Sequence, residues 1–177
     1  MTKGETMRVL FFLLFMVPIA YSAERCDMNQ IMNDLLKCCQ KCEQEPESGQ
    51  CGEKDVSDEG QIRALLNEIN KMRKQAGAKS LSINVKLSCA AKKHSDDMGN
   101  KQFCSHTGSN GLSPWKRAET CNTRAYGEII ACGQRKPVSA VKAWMDSAGH
   151  KKIMLKPQFR TIGLGMYKHY WTAIFGY

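Results

Sequence analysis

The sequence predicts an α+β fold in which helices flank a small, mainly antiparallel sheet. Three observations carry that reading. Two helical stripes occupy residues 57 to 100, a third helical stretch follows Pro137, and strand-like runs gather after residue 126, the last two separated only by a short turn. Helices outside a small sheet are the economical packing for such a set. A length of 177 residues gives room for one compact domain and a tail.

Residues 1–23 read as a signal peptide. Lys3 and Arg8 supply a basic start, Val9 to Ala20 is an apolar run short of a comfortable bilayer span, and "AYSAE" offers small residues for cleavage after Ser22 or Ala23. The expectation is a secreted, extracellular protein. Nine cysteines suit an oxidising compartment. Five of them (Cys26, Cys38, Cys39, Cys42 and Cys51) crowd an N-terminal extension over residues 24–57, and Cys89, Cys104, Cys121 and Cys132 are spread through the rest. The odd count leaves at least one thiol free or linked to another chain, which allows a disulfide-linked dimer.

Charge divides the chain in the same way. Residues 24 to 60 hold 4 Lys/Arg against 10 Asp/Glu, and residues 61 to 177 hold 20 against 6. The basic body suits anionic surfaces such as lipid head groups or cell-wall polyanions. No recognition motif or basic–aromatic pattern points to specific nucleic-acid binding.

The body spans residues 58–177. Its first helix carries Ile62, Leu65, Leu66, Ile69, Met72 and Ala76 on one stripe. Ser57 is its cap candidate, Asp58 and Glu59 suit its positive end, and Gly77 suits its stop. In the second helix Leu87, Ala90, Ala91, His94 and Met98 share a face. Cys89 falls about 200° from Leu87, so it is expected to face outward and to staple the extension. A short helical piece is expected around Trp115. "YGEIIACG" reads as a buried strand, and "RTIGLGMY" and "YWTAIFGY" as strands joined at Lys168–His169. Trp115 and the methionines of the helices are assigned to the core.

Between the strands, Pro137 opens a helix in which Val138, Val141, Met145 and Ala148 recur at helical spacing. Gly149 is the expected stop, with His150 delivered just beyond it. His94 lies in an apolar stripe and reads as a core histidine, while His169 sits in a turn. His106 in "FCSHTGSNG" and His150 each follow the end of an element, where a side chain can enter a cleft. Glu128 inside an apolar strand must be paired, protonated or metal-bound. Two histidines and a carboxylate are a donor set for a divalent ion.

The ordered segments "LLNEINKMRKQAG", "CAAKKHSDDM", "FCSHTGSNG", "YGEIIACG" and "AWMDSAGHKKIML" resemble the CAP superfamily, the SCP-domain proteins. These are the cysteine-rich secretory, antigen-5 and pathogenesis-related group-1 proteins, here in a compact, bacterial-like variety. The resemblance runs from about Gln61 to Tyr177 and does not cover the extension. It implies an α-β-α sandwich with a central cleft in which two histidines and two acidic residues can hold zinc or another divalent cation. Matched by motif, these are His106, Glu128 and His150. The fourth place is Ser147, and Asp146, one residue earlier, is the candidate replacement.

The resemblance also implies a function: a non-enzymatic secreted protein that binds a sterol, a fatty acid or another membrane component, in defence, antagonism or host interaction. A metal-dependent hydrolase with Glu128 as base is the first alternative, and charge-driven polyanion binding is the second. No serine elbow or free nucleophile favours hydrolysis.

Overall fold

A computed structural model describes residues 56–177; the predicted signal peptide and nearly all of the predicted extension lie outside the described residues. Helix α1 (Val56–Gln75) is followed by a two-residue strand β1 (Ser82–Ile83), helix α2 (Val85–Lys101) and the short helix α3 (Pro114–Thr120). Strand β2 (Gly127–Cys132) precedes helices α4 (Pro137–Asp146) and α5 (Ala148–Met154). A hairpin of β3 (Thr161–Tyr167) and β4 (Tyr170–Gly176) ends the chain. The sheet order is β1-β3-β4-β2, antiparallel except for the β1–β3 pair.

The two faces of the sheet bury different residues. On one face Ile162, Leu164, Met166, Trp171, Ala173 and Phe175 pack with Leu65, Ile69, Trp144 and Met154 from α1, α4 and α5. On the other, Ile174 packs with Leu87, Ala90 and Ala91 of α2 and with Ala118, Cys121 and Ala125 in and after α3. This is the α-β-α sandwich that the resemblance implied. The alternation of Gly163 and Gly165 with Ile162, Leu164 and Met166 has a packing cause. A Cβ on Gly163 would lie 2.1 Å from the Leu87 backbone, and one on Gly165 would lie 2.3 Å from that of Ala91. Helix α2 therefore rests directly on β3.

Two polar residues of α1, Asn70 and Arg73, have an equally local meaning. Asn70 exchanges two hydrogen bonds with the Leu81 backbone, at 2.8 and 3.0 Å. Arg73 is fully buried and donates to the carbonyls of Lys79, Met154, Lys156 and Phe159. Burial, then the neighbouring charge of Arg160, lowers its pKa. One guanidinium thus ties α1 to the segment that follows α5.

Three expectations are corrected. Cys89 is buried, because the face of α2 turned from β3 is covered by α3 and the residues after it. Trp115 is 56 % exposed, on the outer side of a helix whose buried residues are Pro114, Arg117 and Ala118. Gly149 does not stop a helix. The break falls at Ser147, whose extended backbone ends α4 and begins α5, so His150 lies in the first turn of α5.

Candidate functional site

β2 is an edge strand, and its outer side forms one wall of a cleft of about 440 Å³. Ile130, Ala131, Ala143 and Trp144 supply apolar wall, and Ser105, His106, Gln134, Ser147 and His150 supply polar groups. Trp144 Nε1–H donates to the Ile130 carbonyl at 2.9 Å, which fastens α4 to this edge strand.

His106 sits on the loop between α2 and α3, held from several sides. The Cys104–Cys132 disulfide joins the loop to the end of β2. His94 lies within 2.9 Å of the Ser105 carbonyl through Nε2, which must carry the proton to donate there. Arg117 donates to the carbonyls of His106 and Leu112 at 3.0 and 2.8 Å. At the loop's outer end, Asp97 accepts from the Ser109 amide and hydroxyl. His94 is thus the buried, hydrogen-bonded histidine its stripe suggested, and His169 is exposed in the hairpin turn.

Glu128 is buried on β2 and both its oxygens are engaged. One accepts from His106 Nδ1 at 2.8 Å, and the other from Arg117 Nη2 at 2.6 Å. The need for a partner inside an apolar strand is met by Arg117, a residue that sequence reasoning passed over. The signal was available: Arg117 follows a Ser-Pro helix start by three positions, on the inner side of a short helix. Bonding at Nδ1 leaves the Nε2 edge of His106 for the cleft. The His150 ring lies 6.3 Å away, inclined at 60°. Burial first, and then the adjacent His106, lowers the pKa of His150.

Of the four residues expected to hold a metal, the fold brings His106, Glu128 and His150 to one place and leaves Asp146 apart. Asp146 is 64 % exposed and pairs with Lys142, one turn earlier on the outer face of α4. A catalytic zinc site uses about three protein ligands. Here two imidazoles remain once Arg117 and His106 have taken the carboxylate. Among the described residues no group of three His, Cys, Asp or Glu side chains is arranged to hold a metal ion. As arranged, the donor set does not fit a divalent cation.

The family model for the cysteine-rich secretory protein family, CAP, matches residues 66–175, and the chain belongs to that family. It is 37 % identical over 105 residues to the uncharacterized protein YkwD of Bacillus subtilis, covering 58 % of this chain and 41 % of YkwD. An extracellular SCP-domain protein from Bacillus anthracis superposes with a TM-score of 0.66 at 25 % identity, over 72 % of this chain and 44 % of that one. An outer surface protein from Borrelia burgdorferi shares the fold, with a TM-score of 0.60 at 24 % identity, over 66 % and 92 % of the two chains. The match thus spans less than half of the two Bacillus proteins.

Proposed function

We propose that this chain is a non-enzymatic binder of a small amphiphile, a fatty acid in preference to a sterol. The observation that carries the reading is the pairing of Arg117 with Glu128 beneath a largely apolar cleft. The pairing cancels the buried carboxylate of Glu128, so the ligand meets two imidazoles and no net negative charge. An acyl chain would lie against Trp144, Ile130 and Ala143, with its carboxylate toward His106 and His150. Charge-assisted hydrogen bonds to an anion are the strong kind. Exposed Arg135, Lys136, Lys151 and Lys152, neighbours in sequence of Gln134 and His150, would favour approach to an anionic membrane or cell wall. Secretion is part of the reading, supported by the basic-then-apolar start of the chain, the Cys104–Cys132 disulfide and the extracellular relative. No helix among the described residues is long and apolar enough to cross a membrane. A role in defence, antagonism or host interaction would follow from secretion.

The test is displacement of a fluorescent fatty acid by unlabelled palmitate or cholesterol. Palmitate should compete, Ala143→Phe should abolish binding by filling the cleft, and the His106→Ala/His150→Ala variant should weaken palmitate more than cholesterol. Absence of binding by the fluorescent probe would sink the reading. A metal-dependent hydrolase would require Glu128 to leave Arg117. Zinc calorimetry on the wild type and the double-histidine variant separates that alternative.

A further inference from the structure

The segment from Cys104 to Cys121 carries both His106 and Arg117, and a cysteine stands at each of its ends. The first is cross-linked to Cys132. The last, Cys121, caps the C-terminus of α3, and its sulfur lies 3.2 Å from that of Cys89 on α2. Both are enclosed, at 2 % and 0 % exposure, in the apolar cluster of Leu87, Ala90, Ala91, Ala118, Ala125 and Ile174.

We propose that Cys89 and Cys121 are a second intrachain cross-link site, which with Cys104–Cys132 pins the cleft-forming segment at both ends. The geometry requires only a small approach, since a disulfide places its sulfurs about 2.05 Å apart. The chemistry is thiol–disulfide exchange with a small or enzyme-borne disulfide. One protein thiolate attacks the oxidant's disulfide and displaces a thiol, leaving a mixed disulfide. The second protein thiolate attacks the protein sulfur of that mixed disulfide and releases the oxidant's other thiol. Two protons leave the cysteines, and two electrons pass to the oxidant, which ends as two thiols. The burial of both sulfurs sets the order of events: the bond forms before α3 closes over α2, and the closed core then shields it from reductants. Its consequence lies at the cleft. Cys121 is four residues from Arg117, so fixing the end of α3 to α2 fixes the guanidinium that holds Glu128 and the His106 carbonyl.

The experiment uses the full chain, made by secretion into an oxidising medium and carrying the 104–132 linkage. Thiols are alkylated in denaturant and the protein is digested with trypsin without reduction. Peptides 87–92 and 118–124 should appear joined to each other, two hydrogens lighter than their sum. Alkylation of both cysteines, or linkage of either to a peptide containing Cys26, Cys38, Cys39, Cys42 or Cys51, would overturn the proposal. A Cys89→Ala/Cys121→Ala variant tests the bracing role. Native-state tryptic cleavage after Lys116 should become several-fold faster while the 104–132 bond persists, and an unchanged rate would overturn that role.

Discussion

Arg117 and Glu128 meet at 2.6 Å with their side chains 7 % and 3 % exposed, and the same guanidinium holds the His106 carbonyl. The pair is the point where α3, β2 and the His106 loop are joined. Removing one member of a buried pair leaves the other charged, desolvated and alone, which costs about 3–5 kcal/mol. Arg117→Met and Glu128→Gln should each fall in that range by urea unfolding. The double variant should be less destabilised than the sum, because it strands no charge. Additive losses would show that the two side chains act independently.

Protonation acts on the neighbouring histidines. Burial, then Arg117, lowers the pKa of His94, against weaker raising effects of Glu128, the Ser105 carbonyl and Asp97. Burial and His106 lower that of His150. A histidine with a depressed folded value takes up protons in the unfolded chain first. The contribution of these two groups to stability is therefore level at higher pH and falls as pH drops through the ordinary value of 6.5. Urea midpoints measured from pH 8 to 5 should decline below that point. His94→Gln should flatten the decline, and an equally steep curve in that variant would assign it to other groups.

Much of this was legible in the residues. The stripe of Leu65 and Ile69, the strand at "GEII" and the hairpin at Lys168–His169 each announce themselves through periodicity or turn chemistry, and the structure has all three. His106, Glu128 and His150 also come to one place, because a loop, an edge strand and a helix start converge there. What failed depended on neighbours that periodicity does not report. The outward angle of Cys89 assumed solvent on the far side of α2, where α3 lies instead. Asp146 was chosen by proximity in sequence, but its place on α4 turns it toward Lys142. Arg117 was missed because a cation in a short loop helix looks like surface until the strand carboxylate it must neutralise is set beside it.

Helix α2 sits so close to β3 that a side chain cannot be inserted between them. Gly163→Ala would place a methyl 2.1 Å from the Leu87 carbonyl carbon, and backbone cannot give way as a flexible side chain can. Overpacking of cores costs about 1–3 kcal/mol and occasionally more. With backbone as the obstacle, Gly163→Ala should fall at or above the top of that range in thermal unfolding. Gly149→Ala is its control, since a Cβ there meets nothing within 4 Å, and it should be neutral or stabilising.

The Cys104–Cys132 bond closes a loop with a sequence separation of 28 residues, and within that loop lie His106, Arg117 and Glu128. In the chain-entropy account a loop of this length contributes about 3–4 kcal/mol by restricting the unfolded state. Cys104→Ala/Cys132→Ala should lower stability by about that amount in urea. It should also weaken the proposed fatty-acid binding beyond what unfolding explains. Ser105 and His106 would keep their hydrogen bonds to His94, Arg117 and Glu128 but lose the covalent tether to β2, so the imidazole would sample more positions in the folded protein. Comparing affinity at a temperature where both proteins are fully folded separates the two effects. Equal affinity there would mean that the hydrogen bonds of His94, Arg117 and Glu128 position His106 without the disulfide, which then acts only on stability.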